Sequence, residues 1–283
     1  MKDEGYKSFW REKREYHTDN CGLFFEIKSV LYAQNSKFQR IEVVENEYFG
    51  RILFLDGLVQ TTERDEYFYH EMLVHPAFLT HPQPRRVLVI GGGDGGVVKE
   101  VLRYPVEKVD FVEIDEEVIR VCQKYFPWLK KVLQDKRVEL VLQDGFEFIQ
   151  QAKESYDIIL VDSSEPVGPS VSLHEKKFYQ RLRDNLSQPG IVVAQMGSPF
   201  FHQDELFRKF EFLRTIFKKV FFYTGPVPTY PAGEWSYAFL SETIDPTQIL
   251  REPPGGLKYY SPQAHQRAFL LPKPLEKLRQ DLS

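Results

Sequence analysis

Five short apolar runs, at 87–90, 109–114, 138–142, 156–161 and 191–195, limit what this chain can fold into more than any other feature. Stretches of amphipathic, helix-like sequence lie between them, at 97–104, 116–126, 145–153 and 175–186. A strand that is apolar along its whole length needs cover on both faces, and crossover helices make its neighbours parallel. The alternation predicts a doubly wound α/β sheet, closed by two further strand-like runs at 219–224 and 235–241. Ahead of it, 22–31, 38–45 and 51–55 are rich in β-branched and aromatic residues, and Gln34-Asn35-Ser36 and Asp56-Gly57 separate them as turns. No crossover helix fits between these runs, so they predict a small antiparallel sheet. A helix over 66–78 follows, stopped by His81-Pro82-Gln83-Pro84. The expected division is an N-terminal β domain over 1–64 and an α/β domain over 65–283.

Composition narrows the function classes. With 14% aromatic residues the chain can bury a large core, which excludes disorder. A net charge of −4 argues against nucleic acid as a partner. The apolar runs fall far short of the roughly 18 residues that cross a membrane. Residues 1–17 are charged throughout and have no apolar signal core, and Cys21 and Cys122 sit in unrelated contexts. A reducing, cytoplasmic setting is therefore expected, without a disulfide framework. Scarce Asn and plentiful Glu, Lys and Arg lean towards a thermophilic source.

Gly91-Gly92-Gly93-Asp94-Gly95-Gly96 follows the first α/β strand directly and opens a helix. It satisfies G-x-G-x-x-G, and Glu113 stands at the end of the next strand, where an acid accepts hydrogen bonds from ribose hydroxyls. This context indicates a nucleoside. Asp94 refines the choice, because a carboxylate in this loop would repel a pyrophosphate. No Lys or Arg occurs between Gly91 and Val98 to offset it. A nucleoside with a cationic tail fits better, and S-adenosyl ligands carry a sulfonium. Further acids recur just beyond successive strands: Glu113 and Asp115, Asp144, and Asp162. One such acid is commonly a helix cap. Several converging outside the carboxyl ends of one sheet describe an anionic crevice, suited to cations.

The ordered set of motifs resembles the polyamine aminopropyltransferases, the family of the spermidine synthases. It comprises Leu55-Asp56-Gly57-Leu58-Val59-Gln60, Asp65-Glu66 with Tyr69-His70-Glu71, the glycine loop, and Val112-Glu113-Ile114-Asp115. Asp144-Gly145, Asp162-Ser163-Ser164-Glu165-Pro166-Val167-Gly168-Pro169 and Pro228-Thr229-Tyr230-Pro231-Ala232-Gly233 continue it. The resemblance implies a β domain followed by a Rossmann-like, methyltransferase-type sheet, assembled as a homodimer or homotetramer. It implies transfer of an aminopropyl group from decarboxylated S-adenosylmethionine to putrescine, giving spermidine and methylthioadenosine. By that pattern Gln39, Asp94, Glu113, Asp144, Gly145 and Pro169 would hold the donor. Tyr69, His70, Asp94, Ser163, Ser164, Glu165 and Tyr230 would line the acceptor site, with Asp162 as catalytic base.

The chemistry agrees with these roles. Decarboxylation leaves the donor tail with an ammonium and no carboxylate, which Asp94 would favour. The acceptor amine, with a pKa near the 10.4 of Lys, must lose a proton before it can attack. The sulfonium already activates the carbon, so no metal or further cofactor is expected. His70 and His75 are one residue too far apart for the H-E-x-x-H zinc motif. Trp235 reads either as cover for a methylene chain or as a core aromatic, and 170–175 reads as a loop that could close over substrates. Two positions depart from the family pattern: Glu165 replaces the customary Asp, and Glu234 adds a carboxylate expected near the mouth of the site. Both leave acceptor length open, with cadaverine, agmatine and spermidine as alternatives. A methyltransferase and a non-catalytic nucleoside binder are the competing classes.

Overall fold

The computed structural model describes residues 11–163 and 172–278, so Ser164, Glu165 and Pro169 lie outside the described residues. The chain opens with an antiparallel hairpin, β1 (Arg11–Thr18) and β2 (Cys21–Ile27). An antiparallel meander follows: β3 (Ser29–Asn35), β4 (Arg40–Asn46), β5 (Gly50–Leu55) and β6 (Leu58–Thr62). The run expected as one strand over 22–31 is thus divided between two sheets. The break falls at Lys28, whose amide bonds to Glu45 O, and neither Gly nor Pro marks it in the sequence. The meander is buried on both faces. Ile41, Val43 and Leu53 point into the main core, while Val44, Ile52 and Phe54 meet Phe25 and Ile27 of the hairpin.

Helix α1 (Glu66–Thr80) links this region to the large sheet. Its apolar residues are spread around the whole circumference, the pattern of a helix buried on every side. The sheet itself contains β7 (Arg86–Gly91), β8 (Lys108–Glu113), β9 (Val138–Leu142), β10 (Tyr156–Asp162), β11 (Leu186–Gly197), β12 (Lys219–Pro226) and β13 (Glu234–Ser241). Their spatial order is β12-β13-β11-β10-β7-β8-β9, and β13 runs opposite to the other six. Side chains alternate between two cores: Val87 and Val89 of β7 enter one, Leu88 and Ile90 the other. This double burial is why the strands read as continuous apolar runs.

Helices α2 (Gly96–Val101), α3 (Glu116–Tyr125), α5 (Gly145–Gln151) and α6 (Lys176–Asp184) match the expected crossovers. Two helices, α4 (Pro127–Gln134) and α7 (Gln203–Leu213), were not expected from the sequence. A last helix, α8 (Pro262–Ala268), packs near the C-terminus. Among the described residues no helix is long and apolar enough to cross a membrane.

The strand order reverses between β7 and β10, and their carboxyl ends leave a crevice there, where ligands bind in open α/β sheets. Helix α1 runs behind it and serves two sides of the molecule. Glu71, 1% exposed, accepts the backbone amides of Lys258, Tyr259 and Tyr260 at 2.9, 2.9 and 2.7 Å. Removing a buried carboxylate that satisfies several amides strands each of them. Glu71→Ala is expected to lower stability by about 3 kcal/mol or more. Thermal unfolding checks it, and faster amide exchange at 258–260 should accompany the loss.

Candidate functional site

A cavity of about 310 Å³ opens at the reversal point, walled by the strand ends, the glycine loop, α1 and the meander. Six carboxylates line it: Glu15 and Asp56 come from the N-terminal region, and four follow or end a parallel strand, Asp94 after β7, Glu113 at the end of β8, Asp144 after β9 and Asp162 at the end of β10. Asp115, read from the sequence as a fifth strand-end acid, is not among them. It caps α3 through the amide of Glu117 and accepts from Ser36 Oγ at 2.6 Å and Gln39 Nε2 at 3.1 Å.

Asp162 stands at the centre. Tyr69 Oη donates to its Oδ1 at 2.5 Å. Burial pushes the carboxyl up; the positive charge of His70 and the Tyr69 hydrogen bond pull it down, Asp94 adds repulsion, and the balance lies at about 6. The loop can approach this group only because it lacks side chains. A Cβ on Gly92, whose φ is +70°, would lie 2.5 Å from Asp162 Oδ2.

His70 lies over the start of α2, where a Cβ on Gly96 would fall 2.0 Å from the ring. Its Nδ1 is 2.7 Å from Glu66 Oε2, and its Nε2 is 3.4 Å from Asp94 Oδ2. Burial opposes a charge on this ring, but Asp94 and Glu66 override it and raise His70 to about 10. Burial likewise opposes the Glu66 charge, yet His70 and Lys99, whose Nζ is 2.7 Å away, hold that carboxyl at about 2. Asp94 accepts the Gly96 amide on Oδ1 at 2.9 Å, while its buried Oδ2 has no hydrogen-bond partner among the described residues. Ligand atoms of His70, Asp94 and Asp162 converge within 4.8 Å. His75, on a different face of α1, contacts Tyr104 Oη at 2.8 Å and takes no part.

One end of the cavity is lined by Glu113, Asp144 and Gly145. Burial raises Glu113 to about 7, although its Oε1 accepts the Asp115 amide at 2.9 Å. Asp144 caps α5 through the amides of Phe146 and Glu147, and Gly145 lies against Ile90, where a Cβ would come within 2.4 Å. Gln39 lines the same end, held by its bond to Asp115. The other end is aromatic. Tyr69 and Tyr230 pack with centroids 5.5 Å apart, Tyr230 donates to Gln60 O, and Trp235 stands edge-on to Tyr230 at 4.8 Å. Trp235 is both core and wall, 5% exposed yet lining the cavity.

Glu234 does not reach this site. It sits one residue before Trp235 on β13, so strand alternation turns it away, and its carboxylate accepts from Thr224 Oγ1 at 2.8 Å. Among the polar lining residues given no role from the sequence are Gln195, Glu15, Asp56 and Gln60. Gln195, at the end of β11, donates to the Ser163 carbonyl at 2.7 Å and accepts from Trp235 Nε1 at 3.0 Å. Glu15 of β1 and Gln60 of β6 come from the N-terminal region, where no motif singled out Glu15. Ser163 lines the cavity, and of the loop at 170–175 only 172–175 falls among the described residues.

Comparisons with known proteins agree along most of the chain. The description "Spermine/spermidine synthase domain" matches residues 66–249, and "Spermidine synthase tetramerisation domain" matches 13–63. A polyamine aminopropyltransferase of Shouchella clausii is 42% identical over 273 residues, covering 95% of this chain and 98% of the relative. One of Methanocaldococcus jannaschii is 42% identical over 264 residues, 90% of each. Among solved structures, a spermidine synthase in complex with the transition state analogue AdoDATO superposes with a TM-score of 0.91 at 37% identity, covering 95% of this chain and 94% of that one. Spermidine synthase from Thermotoga maritima gives 0.89 at 36%, with the same coverage.

The Tyr69 hydrogen bond favours the charged form of Asp162. Tyr69→Phe should move the Asp162 titration upward from about 6. Carboxyl NMR of the labelled protein checks this, and a downward movement would contradict the assignment.

Proposed function

The chain belongs to the spermine/spermidine synthase family, and on that premise we propose that it moves the aminopropyl group of decarboxylated S-adenosylmethionine onto putrescine, giving spermidine and methylthioadenosine. One observation carries the reading. The cavity joins four strand-end carboxylates to an aromatic wall, and among the described residues no Lys or Arg lines it. Such a pocket favours ligands that bring their own positive charge and disfavours phosphates.

In this reading Glu113 takes the ribose hydroxyls, and Gln39, Asp144 and Gly145 surround the rest of the nucleoside. Asp94 accepts the donor's ammonium. The acceptor's methylene chain lies against Tyr69, Tyr230 and Trp235, with His70 and Ser163 beside it, and its reacting nitrogen gives a proton to Asp162. The freed amine attacks the carbon next to the sulfonium. The new C–N bond forms as the C–S bond breaks, and the electron pair leaves with sulfur as the neutral thioether of methylthioadenosine. A carboxyl at about 6 is ionised at neutral pH yet more basic than a surface Asp, which suits a general base. Donor and acceptor held in line contribute the remaining rate through orientation.

We further infer a homodimer or homotetramer assembled through the N-terminal hairpin. Its outer face carries Tyr16 and Phe24, 58% and 65% exposed, on adjacent strands. Sedimentation analysis tests this, and a monomer at micromolar concentration would count against it.

Methylthioadenosine release with putrescine, cadaverine, agmatine and spermidine offered separately tests the activity, with putrescine expected to rank first. The turnover number should fall as pH drops through about 6, because protonation removes the base. Asp162→Asn should reduce turnover at least about 10²-fold and flatten that dependence, with donor affinity nearly unchanged. A variant within a few-fold of the parent would assign the base elsewhere.

A further inference from the structure

Both ring nitrogens of His70 face carboxylate oxygens, those of Glu66 and Asp94. An ionised carboxylate only accepts hydrogen bonds, so a neutral imidazole would turn a lone pair on one of them. The arrangement favours an imidazolium. Charged groups reach it from each surrounding element: Glu66 on α1, Lys99 of α2 through Glu66, Asp94 from the glycine loop and Asp162 from β10. The neighbouring Tyr69 ring stands edge-on at 5.5 Å. Lys99, Glu66, His70 and Asp94 therefore alternate in sign, and the series ends on Asp94 Oδ2 in the cavity wall, which faces His70 Nε2 at 3.4 Å without a hydrogen bond.

A ligand's ammonium would seek that same oxygen, and two cations crowded within the 4.8 Å spanned by His70, Asp94 and Asp162 repel strongly. We propose that His70 stands in for a substrate ammonium in the free protein, and that an ammonium arriving at Asp94 expels the Nε2 proton to solvent. The Nε2 lone pair then accepts from the newcomer. Nδ1 keeps its proton on Glu66, which makes Glu66, held by Lys99, a positioning residue that fixes the remaining tautomer. The inference rests on the functional reading above and adds that binding of the cationic donor releases a proton.

Titration calorimetry at about pH 8.5, in buffers of different ionisation enthalpy, tests this with decarboxylated S-adenosylmethionine and, as the control without an ammonium, methylthioadenosine. At that pH Asp162 and Glu113, at about 6 and about 7, are already ionised, while a primary ammonium with a pKa of about 10.4 keeps its proton. The donor should release about one proton on binding and methylthioadenosine none, and donor affinity should rise up to about tenfold per pH unit below the His70 titration. His70→Gln should abolish the release. Glu66→Gln, which removes one of the two carboxylates that hold the ring's charge, should reduce it and gives a second variant should the first not fold. Donor binding without proton release, or full release in either variant, overturns the inference while leaving the functional reading intact. If neither nucleoside binds, the functional reading fails and this inference with it.

Discussion

Carboxylates crowded into one crevice repel each other and resist losing their hydration, so a site such as this one exists only if its charge is balanced from within. His70 provides that balance. It sits between Glu66 and Asp94, and Lys99 secures Glu66 from the far side. The effects on the acids differ accordingly. Glu66, with two cationic neighbours, is held at about 2, whereas burial lifts Asp162, which has His70 but also Asp94 beside it, to about 6 and Glu113 to about 7. One fold thus sets acids of nearly equal intrinsic strength to different charge states, a permanent counter-ion in one place and acids that titrate near neutrality in another.

The balance depends on short distances, and those depend on glycine. Gly92 and Gly96 let the loop pass against Asp162 and the His70 ring, where a methyl group would occupy the same space. Behind the loop, Leu129 and Trp128 of α4 close the packing; Trp128 Nε1 donates to the Asp94 carbonyl at 2.8 Å. Backbone and helix therefore aim the Asp94 side chain before any ligand is present, and that pre-organisation lowers the cost of binding.

Much of this was legible in the sequence because two of its signals are local. Strands buried on both faces are apolar runs, and acids at their carboxyl ends face a common crevice whatever the details of packing. The failures were those of register and long-range contact. Glu234 and Trp235 are adjacent, and only the pairing of β13 with β12 and β11 decides which of them turns inward. Asp115 lies two residues beyond Glu113, close enough in sequence to be read with it, yet the turn into α3 diverts it into a cap. Glu15 reaches the cavity from a strand far away in sequence, and Gln195 looks like any polar residue at a strand end. Helix α4 begins with Pro127 at its first turn, a recognised start signal that the sequence reading did not use.

Helix α1 is committed on every side. Tyr69 and His70 face the cavity, Glu71 grips the segment at 258–260, His75 contacts Tyr104, and Tyr223 donates to the Met72 carbonyl. A one-residue insertion or deletion would turn everything beyond it by about 100°, exchanging cavity-facing positions for structural ones. The helix is consequently closed to gradual divergence. Elements that approach the cavity from outside carry lighter duty, Glu15 accepting the Val59 amide and Gln60 lending its carbonyl to Tyr230. Glu15 on β1, Gln60 on β6 and the turn at Pro231 can change one side chain at a time. Natural variation in the length of amine accommodated should accumulate there, around an α1 that stays the same.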